Sequence, residues 1–396
     1  MLTFVWFFLA LSFLVLIHEF GHFIMAKSFN VYVHEFSIFM GPVLFQKQKG
    51  ETKYSLRLLP IGGYCSMAGE LDMQAEGQDD EGLNIPPERT LVGINRFKQF
   101  LISVAGPLMN ILIALILMMI CFMGIGEDKG HLKVEEGSIM AEAGLKTGDH
   151  IDYMESRIIN PNNGDEIFLE VPKSNLLNTY VDLAQYLDTT IIKVVGEGKD
   201  KKQIFPEEGF VQELKLYVNG ETTPKVVTRT FDKVEVTDNG LKIEPLLGIG
   251  INRDDVSFGR SIVLSAQYNA MMGTEIFRAV GQLFTRDGFN NVSGIVGMYK
   301  VANDVTSMGI WSILNFIAMI SINLGILNLL PFPGLDGGRI LIIIGESITR
   351  KKLPAKVESF INNLGFLLLL GLIIAVTIKD IFFMNVIVKP IFKLLL

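Results

Sequence analysis

Residues 2–26 read LTFVWFFLALSFLVLIHEFGHFIMA. The run is apolar until it meets His18-Glu19-Phe20-Gly21-His22, and the apolar character continues beyond it. A stretch of this length crosses about 30 Å of hydrocarbon. It has neither the basic start nor the small-residue cleavage site of a signal peptide, so it reads as a retained membrane helix. On a helix, positions i and i+4 share a face, which aims His18 and His22 at one point. This is the H-E-x-x-H pattern, in which two imidazoles hold zinc and the glutamate serves as general base. Two histidines and a glutamate inside a bilayer cost several kcal/mol unless they are partnered or wet, so a metal site explains them better than chance. His18 lies about 16 residues into the span, ~24 Å of helix, which places it nearer the cytoplasmic face.

The rest of the composition agrees with a membrane protein. Of 396 residues, 49% are hydrophobic and 19% are charged, and the mean hydropathy is +0.38. The apolar excess sits in blocks, which implies membrane spans around a soluble insert. A formal net charge of −7 argues against a nucleic-acid partner. Cys65 and Cys121 are too few and too dissimilar in setting for a disulfide framework, and read as small buried hydrophobes.

Four spans are predicted, at about 2–26, 97–123, 310–348 and 360–378. The third is broken at Pro331-Phe332-Pro333-Gly334 and resumes at Arg339. Arg350, Lys351, Lys352 and Lys356 crowd the short loop before the fourth span and place it in the cytoplasm. Loop 27–95 then faces the cytoplasm too, and the large region 125–305 faces outward. The expected fold is a polytopic α-helical membrane protein of about four transmembrane helices, with an extracytoplasmic β-rich domain inserted between the second and third. Its expected segments are 1–26, 27–95, 96–124, 125–252, 253–306, 307–348 and 349–396. Segment 253–306 reads as amphipathic, because Gln267, Asn269, Glu275, Arg278 and Gln282 interrupt its apolar residues. Lys53 to Leu59 reads as a strand of a cytoplasmic hairpin, with a turn at Gly62-Gly63.

A catalytic zinc takes three protein ligands and keeps one position open. His34 is the only other histidine near the motif, since His131 and His150 fall in the outward region. The better third ligand is Asp336, in Leu330-Pro331-Phe332-Pro333-Gly334-Leu335-Asp336-Gly337-Gly338. Such a sequence cannot form a continuous helix. Broken backbone at membrane depth survives only where protein or a wet cavity satisfies it, and a carboxylate there is a functional candidate. The plainer alternative is that Asp336 caps the helix that follows. Asn323 and Asn328, just upstream, are candidates for holding a peptide substrate or its developing oxyanion, with helix-to-helix hydrogen bonding as the alternative.

Taken together these stretches resemble the site-2 proteases, in particular the bacterial RseP/RasP type. The likeness rests on His18 to His22, on Ala105-Gly106-Pro107-Leu108-Met109-Asn110, on Asn323 to Gly338, and on the loop segments Phe36 to Pro42 and Leu59 to Tyr64. It implies a zinc-dependent intramembrane endopeptidase of the bacterial cytoplasmic membrane. Glu19 would be catalytic, and His18, His22 and Asp336 would hold Zn2+. Asn328, Asn323, Gly62 and Gly63 would contact substrate. The substrates implied are single-span membrane proteins already trimmed by another protease, such as anti-sigma factors and signal-peptide remnants. The outer region resembles a PDZ domain at Val134 to Asp149, with an insertion expected around 155–190. Two rival readings remain at this level: a membrane-anchored peptidase acting on soluble peptides, and a non-enzymatic zinc transporter or PDZ scaffold.

Overall fold

The computed structural model describes residues 2–70, 85–164, 166–170, 193–195, 202–204, 206–237, 240–282 and 294–383. The chain divides into two compact units, one of residues 1–124 with 257–385 and one built around residues 125–256.

The first unit is helical. Its helices are α1 (Leu2–Ser28), α2 (Arg96–Ile125), α3 (Phe258–Gln282), α4 (Ile295–Ser307), α5 (Ile310–Leu329), α6 (Asp336–Thr349) and α7 (Ala355–Phe383). Four of them, α1, α2, α5 and α7, are long and apolar enough to cross a membrane. The third expected span is two helices, α5 and α6. The break is shorter than the sequence suggests, because α6 starts at Asp336 itself rather than at Arg339. Its backbone is tightly packed: a Cβ on Gly337 would lie 2.0 Å from the Leu330 carbonyl oxygen.

Between α5 and α3 the usual amphipathic logic is reversed. Ser261, Ser265, Asn269 and Gly273 of α3 recur every fourth residue and are buried, while Phe258, Ile262, Val263, Met271 and Phe277 are exposed. A helix with its small and polar stripe inward and its apolar stripe outward suits lipid rather than water. Asn269 Nδ2 donates to the Ile111 carbonyl of α2 at 3.5 Å, and the Tyr268 hydroxyl donates to Asn315 Oδ1 of α5 at 3.0 Å. Helix α4 is fastened at both ends. Thr306 Oγ1 accepts from Trp6 Nε1 of α1 at 3.1 Å, and the Asp380 carboxylate of α7 accepts the Gly294 and Gly297 N–H groups at 2.7 and 3.1 Å.

Two long strands, β1 (Val33–Lys49) and β2 (Thr52–Met67), form an antiparallel pair between α1 and α2 in sequence. The hairpin tip is at Gly50-Glu51, a turn that the sequence reading did not place. The chain reverses a second time between Leu56 and Gly63, and Gly62, with φ +66°, stands at the end of that reversal. Residues 35–38 pair with 53–56 and also with 63–66. The second half of β2 is thereby folded back against α1, where Ser12 Oγ donates to Pro60 O at 2.6 Å. The hairpin is pinned by Glu35, which accepts from Arg57 Nη2 at 2.9 Å and from the Tyr64 hydroxyl at 2.8 Å. Burial, reinforced by Glu35, pushes the Tyr64 phenol up to about 12.

The second unit is β-rich. Its strands are β3 (Glu127–Val134), β4 (Ile151–Ile159), β5 (Glu166–Glu170), β6 (Lys193–Val195), β7 (Lys202–Ile204), β8 (Val211–Val218), β9 (Lys225–Thr230), β10 (Lys233–Thr237), β11 (Gly240–Glu244) and β12 (Ile249–Asp254). The main sheet has the order β5-β4-β8-β9, and β12 pairs with β3. Strand β8 buries every second residue. Its Leu214, Leu216 and Val218 join Leu132, Met140, Ile151 and Met154 in one core. The unit extends past residue 252, because Arg253 and Asp254 pair with Asp128 and Glu127. That boundary depends on a partner far back in the chain, which local patterning cannot see. Among its described residues, segment 253–306 is accordingly the end of β12 followed by α3 and nearly all of α4. Strand β4 occupies 151–159, so the excursion expected at 155–190 begins later, and residues 165 and 171–190 of it lie outside the described residues.

Candidate metal centre

Helix α1 carries His18 and His22 one turn apart, and both rings are buried. Helix α6 brings Asp336 to them. Asp336 Oδ2 lies 3.0 Å from His18 Nε2 and 3.5 Å from His22 Nε2. The two Nε2 atoms are 3.1 Å apart. A tetrahedral ion with bonds of about 2.0–2.1 Å has ligand-to-ligand edges of roughly 3.3 Å. The three observed edges bracket that value, so the two nitrogens and one oxygen fit zinc. They form the one cluster of metal-ligand side chains of this kind among the described residues. Asp336 does not cap α6: the N-cap is Leu335, and no side-chain cap bond is made.

The packing beneath the histidines explains how they meet Asp336. His22 Nδ1 donates to the Ile102 carbonyl of α2 at 2.8 Å, which turns Nε2 toward Asp336. A Cβ on Gly106 would lie 2.3 Å from His22 Nε2, and one on Gly21 would lie 2.5 Å from the Ala105 carbonyl oxygen. The two helices therefore meet at a glycine from each, and the imidazoles lie over the bare backbone of α2. On the other side of His18 stands Asn110, with Nδ2 3.4 Å from Nδ1.

Glu19 is next to this cluster, and its Oε2 accepts the Cys65 N–H of β2 at 3.1 Å. A cavity of about 250 Å³ opens here, lined among others by His18, Glu19, His22, Cys65, Asn328 and Arg339. It has room for a peptide unit and several waters. Arg339 Nη1 donates to Glu70 Oε1 at 3.3 Å at the cavity wall.

The sequence-predicted residues thus fall into two groups. His18, Glu19, His22, Asp336 and Asn328 share the cavity. Asn323, Gly62 and Gly63 are not among its lining residues. Asn323 and Asn328 are five residues apart, or about 140° around a helix, so they face different ways. Gly62 and Gly63 sit farther up α1, where the Gly62 N–H donates to Ser12 Oγ at 3.3 Å. The strand instead presents Cys65 and Met67. Sequence reasoning assigned no role to Gly106, Asn110, Glu70 or Arg339. The usable signal was Asn110, a polar residue deep in an apolar span.

Two histidines on one helix, a carboxylate from a second helix and a glutamate at the same cavity have the donor set of a metallopeptidase centre. Comparison with known proteins agrees. The family model for peptidase family M50 matches residues 6–372. A protein of Clostridium perfringens is 32% identical over 382 residues, covering 95% of this chain and 97% of its own. One from Clostridium acetobutylicum is 32% identical over 376 residues, covering 94% and 95%. One from Streptococcus pneumoniae is 30% identical over 428 residues, covering 96% and 99%. Each of the three bears the name "putative zinc metalloprotease". The chain belongs to peptidase family M50, the site-2 proteases, and is a zinc-dependent metalloendopeptidase.

Proposed function

We propose that this protease cleaves the transmembrane segments of single-span membrane proteins, with His18, His22 and Asp336 as its zinc ligands and Glu19 as its base. The observation that carries the reading is the cavity: its ligands come from α1 and from the helix after the α5 break, both within the helical unit. Zinc held there supplies Lewis-acid polarisation of a peptide carbonyl and makes water acidic enough to attack near neutral pH. Glu19 takes a proton from the attacking water and passes it to the departing amine nitrogen. The Cys65 N–H holds one Glu19 oxygen in place while the other is free to face the cavity. Asn328 is placed to donate to the carbonyl oxygen as it gains charge.

A substrate helix has to unwind before its peptide bonds can be reached. The second half of β2, bonded to β1 on one side and running into the cavity at Cys65 and Met67, supports strand addition as the way to hold the unwound segment. The β-rich unit, read as PDZ-like, would screen substrates by their outer bulk or bind their trimmed ends. The setting in this reading is the bacterial cytoplasmic membrane, and the physiological substrates are remnants left by an earlier cleavage.

The test compares a reconstituted membrane-spanning substrate with a soluble peptide of the same sequence, using wild type and Glu19→Gln. Cleavage of the embedded substrate alone, lost in Glu19→Gln, is expected. Faster turnover of the soluble peptide would favour a membrane-anchored peptidase instead.

A further inference from the structure

We infer that Asn110 is the positioning residue for His18, its side-chain carbonyl accepting the Nδ1 proton and thereby fixing the tautomer that leaves Nε2 free to bind the ion. The inference rests on reading His18 as a zinc ligand. His18 Nε2 faces Asp336 Oδ2 at 3.0 Å and His22 Nε2 at 3.1 Å, so Nε2 is the nitrogen on the metal side. A neutral imidazole that donates electrons through Nε2 carries its proton on Nδ1, and that proton needs an acceptor. The polar group facing Nδ1 is the Asn110 amide, 3.4 Å away. Asn110 is 1% exposed, and its Oδ1 is buried with no hydrogen-bond partner. The two ends of an amide are nearly the same size, and half a turn about the last side-chain bond exchanges them. That half-turn sets Oδ1 opposite the Nδ1 proton and removes a donor-to-donor contact. His22 already has the matching arrangement, with Nδ1 donating to Ile102 O at 2.8 Å. The two ligands of α1 are then oriented by the same helix, two turns apart on α2. The residue itself is held from behind, since Ser321 Oγ of α5 donates to the Asn110 backbone carbonyl at 2.7 Å.

Zinc affinity of the full-length protein in detergent, by competition with a chromogenic chelator, tests this. The proteins compared are wild type, Asp336→Ala, Asn110→Leu and Asn110→Asp. Asn110→Leu, similar in shape but unable to accept, is expected to weaken zinc binding by roughly 10–100-fold. Asn110→Asp keeps an acceptor oxygen and is expected to stay within about threefold of wild type, as in other carboxylate–histidine–zinc arrangements. A role in helix packing alone predicts the opposite order, because a buried charge between helices is worse tolerated than leucine. Wild-type affinity in Asn110→Leu, or equal damage in both Asn110 variants, overturns the inference. Unchanged affinity in Asp336→Ala would instead overturn the ligand reading beneath it. Should Asn110→Leu not fold, histidine-selective 15N NMR of the zinc-loaded wild type decides. A His18 Nδ1 proton shifted downfield and protected from water is expected, and one in free exchange with water overturns the assignment.

Discussion

The helical unit and the β-rich unit solve opposite problems with one chain. In the β-rich unit the large apolar side chains are inside, and among its described residues only Val226 and Leu246 are both large and exposed. In the helical unit Phe360, Leu364, Phe366, Leu367, Leu368 and Ile373 of α7 alone are exposed. The buried polar groups differ just as sharply. In the β-rich unit they tie neighbouring strands: Gln212 Nε2 donates to Ser156 Oγ at 3.2 Å, and Gln212 Oε1 accepts from Arg229 Nε at 2.8 Å. In the helical unit His18 and His22 meet at the candidate metal cluster, and others, such as Ser265 and Asn269 of α3, lie between helices. Where lipid leaves apolar burial with little driving force, polar side chains inside mark chemistry or helix contacts; where water surrounds the unit, they finish a core.

Four perturbations break or sharpen this contrast. The largest effect is expected from Glu19→Gln, which removes the proposed base and should slow cleavage by about 10²–10⁴-fold while zinc stays bound. Metal analysis beside a cleavage assay reads both, and loss of zinc together with activity would mean that Glu19 supports the fold as well. Next is Leu214→Ala at a fully buried position of β8. It should cost about 2–5 kcal/mol, seen as earlier unfolding of the β-rich unit, with zinc content unchanged. Gly106→Ala should do the reverse. Its new methyl falls on His22, so zinc affinity should drop by roughly 10–100-fold while the β-rich unit unfolds as before.

The smallest effect is a pH response confined to the β-rich unit. Burial alone would raise the Asp149 carboxyl, but the Lys146 N–H, the Asn219 amide and the Lys225 ammonium outweigh it and hold it below its ordinary 3.8. A depressed carboxyl stabilises the fold in full above the ordinary value, and the contribution is lost as pH falls through the folded one. Its size is no more than about 1 kcal/mol for such a partly exposed pair. The NMR signals of the Lys146 backbone amide and the Asn219 side-chain amide, which both donate to Asp149, should hold steady from neutral pH down to the ordinary carboxylate range and weaken below it. Asp149→Asn should abolish the response.

What could be read from the sequence follows from how local each feature is. His18 and His22 were legible because one helical turn relates them. Asp336 was legible because prolines and glycines at membrane depth are a local anomaly. The full course of the strand pair was not, since the reversals within β1 and β2 show only in the pairing of residues 35–38 with both 53–56 and 63–66. The angle between Asn323 and Asn328 was computable, but which of them faces inward depends on where α1 and α6 lie. Asn110 needed the contact between α1 and α2 through Gly21 and Gly106, which no span by itself announces. The extent of β12 needed β3. Helix α3 was legible as two-faced, but whether its apolar face turned in or out had to await its neighbours α2 and α5.

The distance along the chain between His18 and Asp336 also sets a timetable. A ribosome adding about 5–20 residues per second needs roughly 15–60 s to make the intervening length. Through that interval the nascent chain holds the histidine pair and Glu19 without Asp336. On the proposed ligand set, a chain truncated before Asp336 is expected to be inactive, which a cleavage assay of the truncated protein checks.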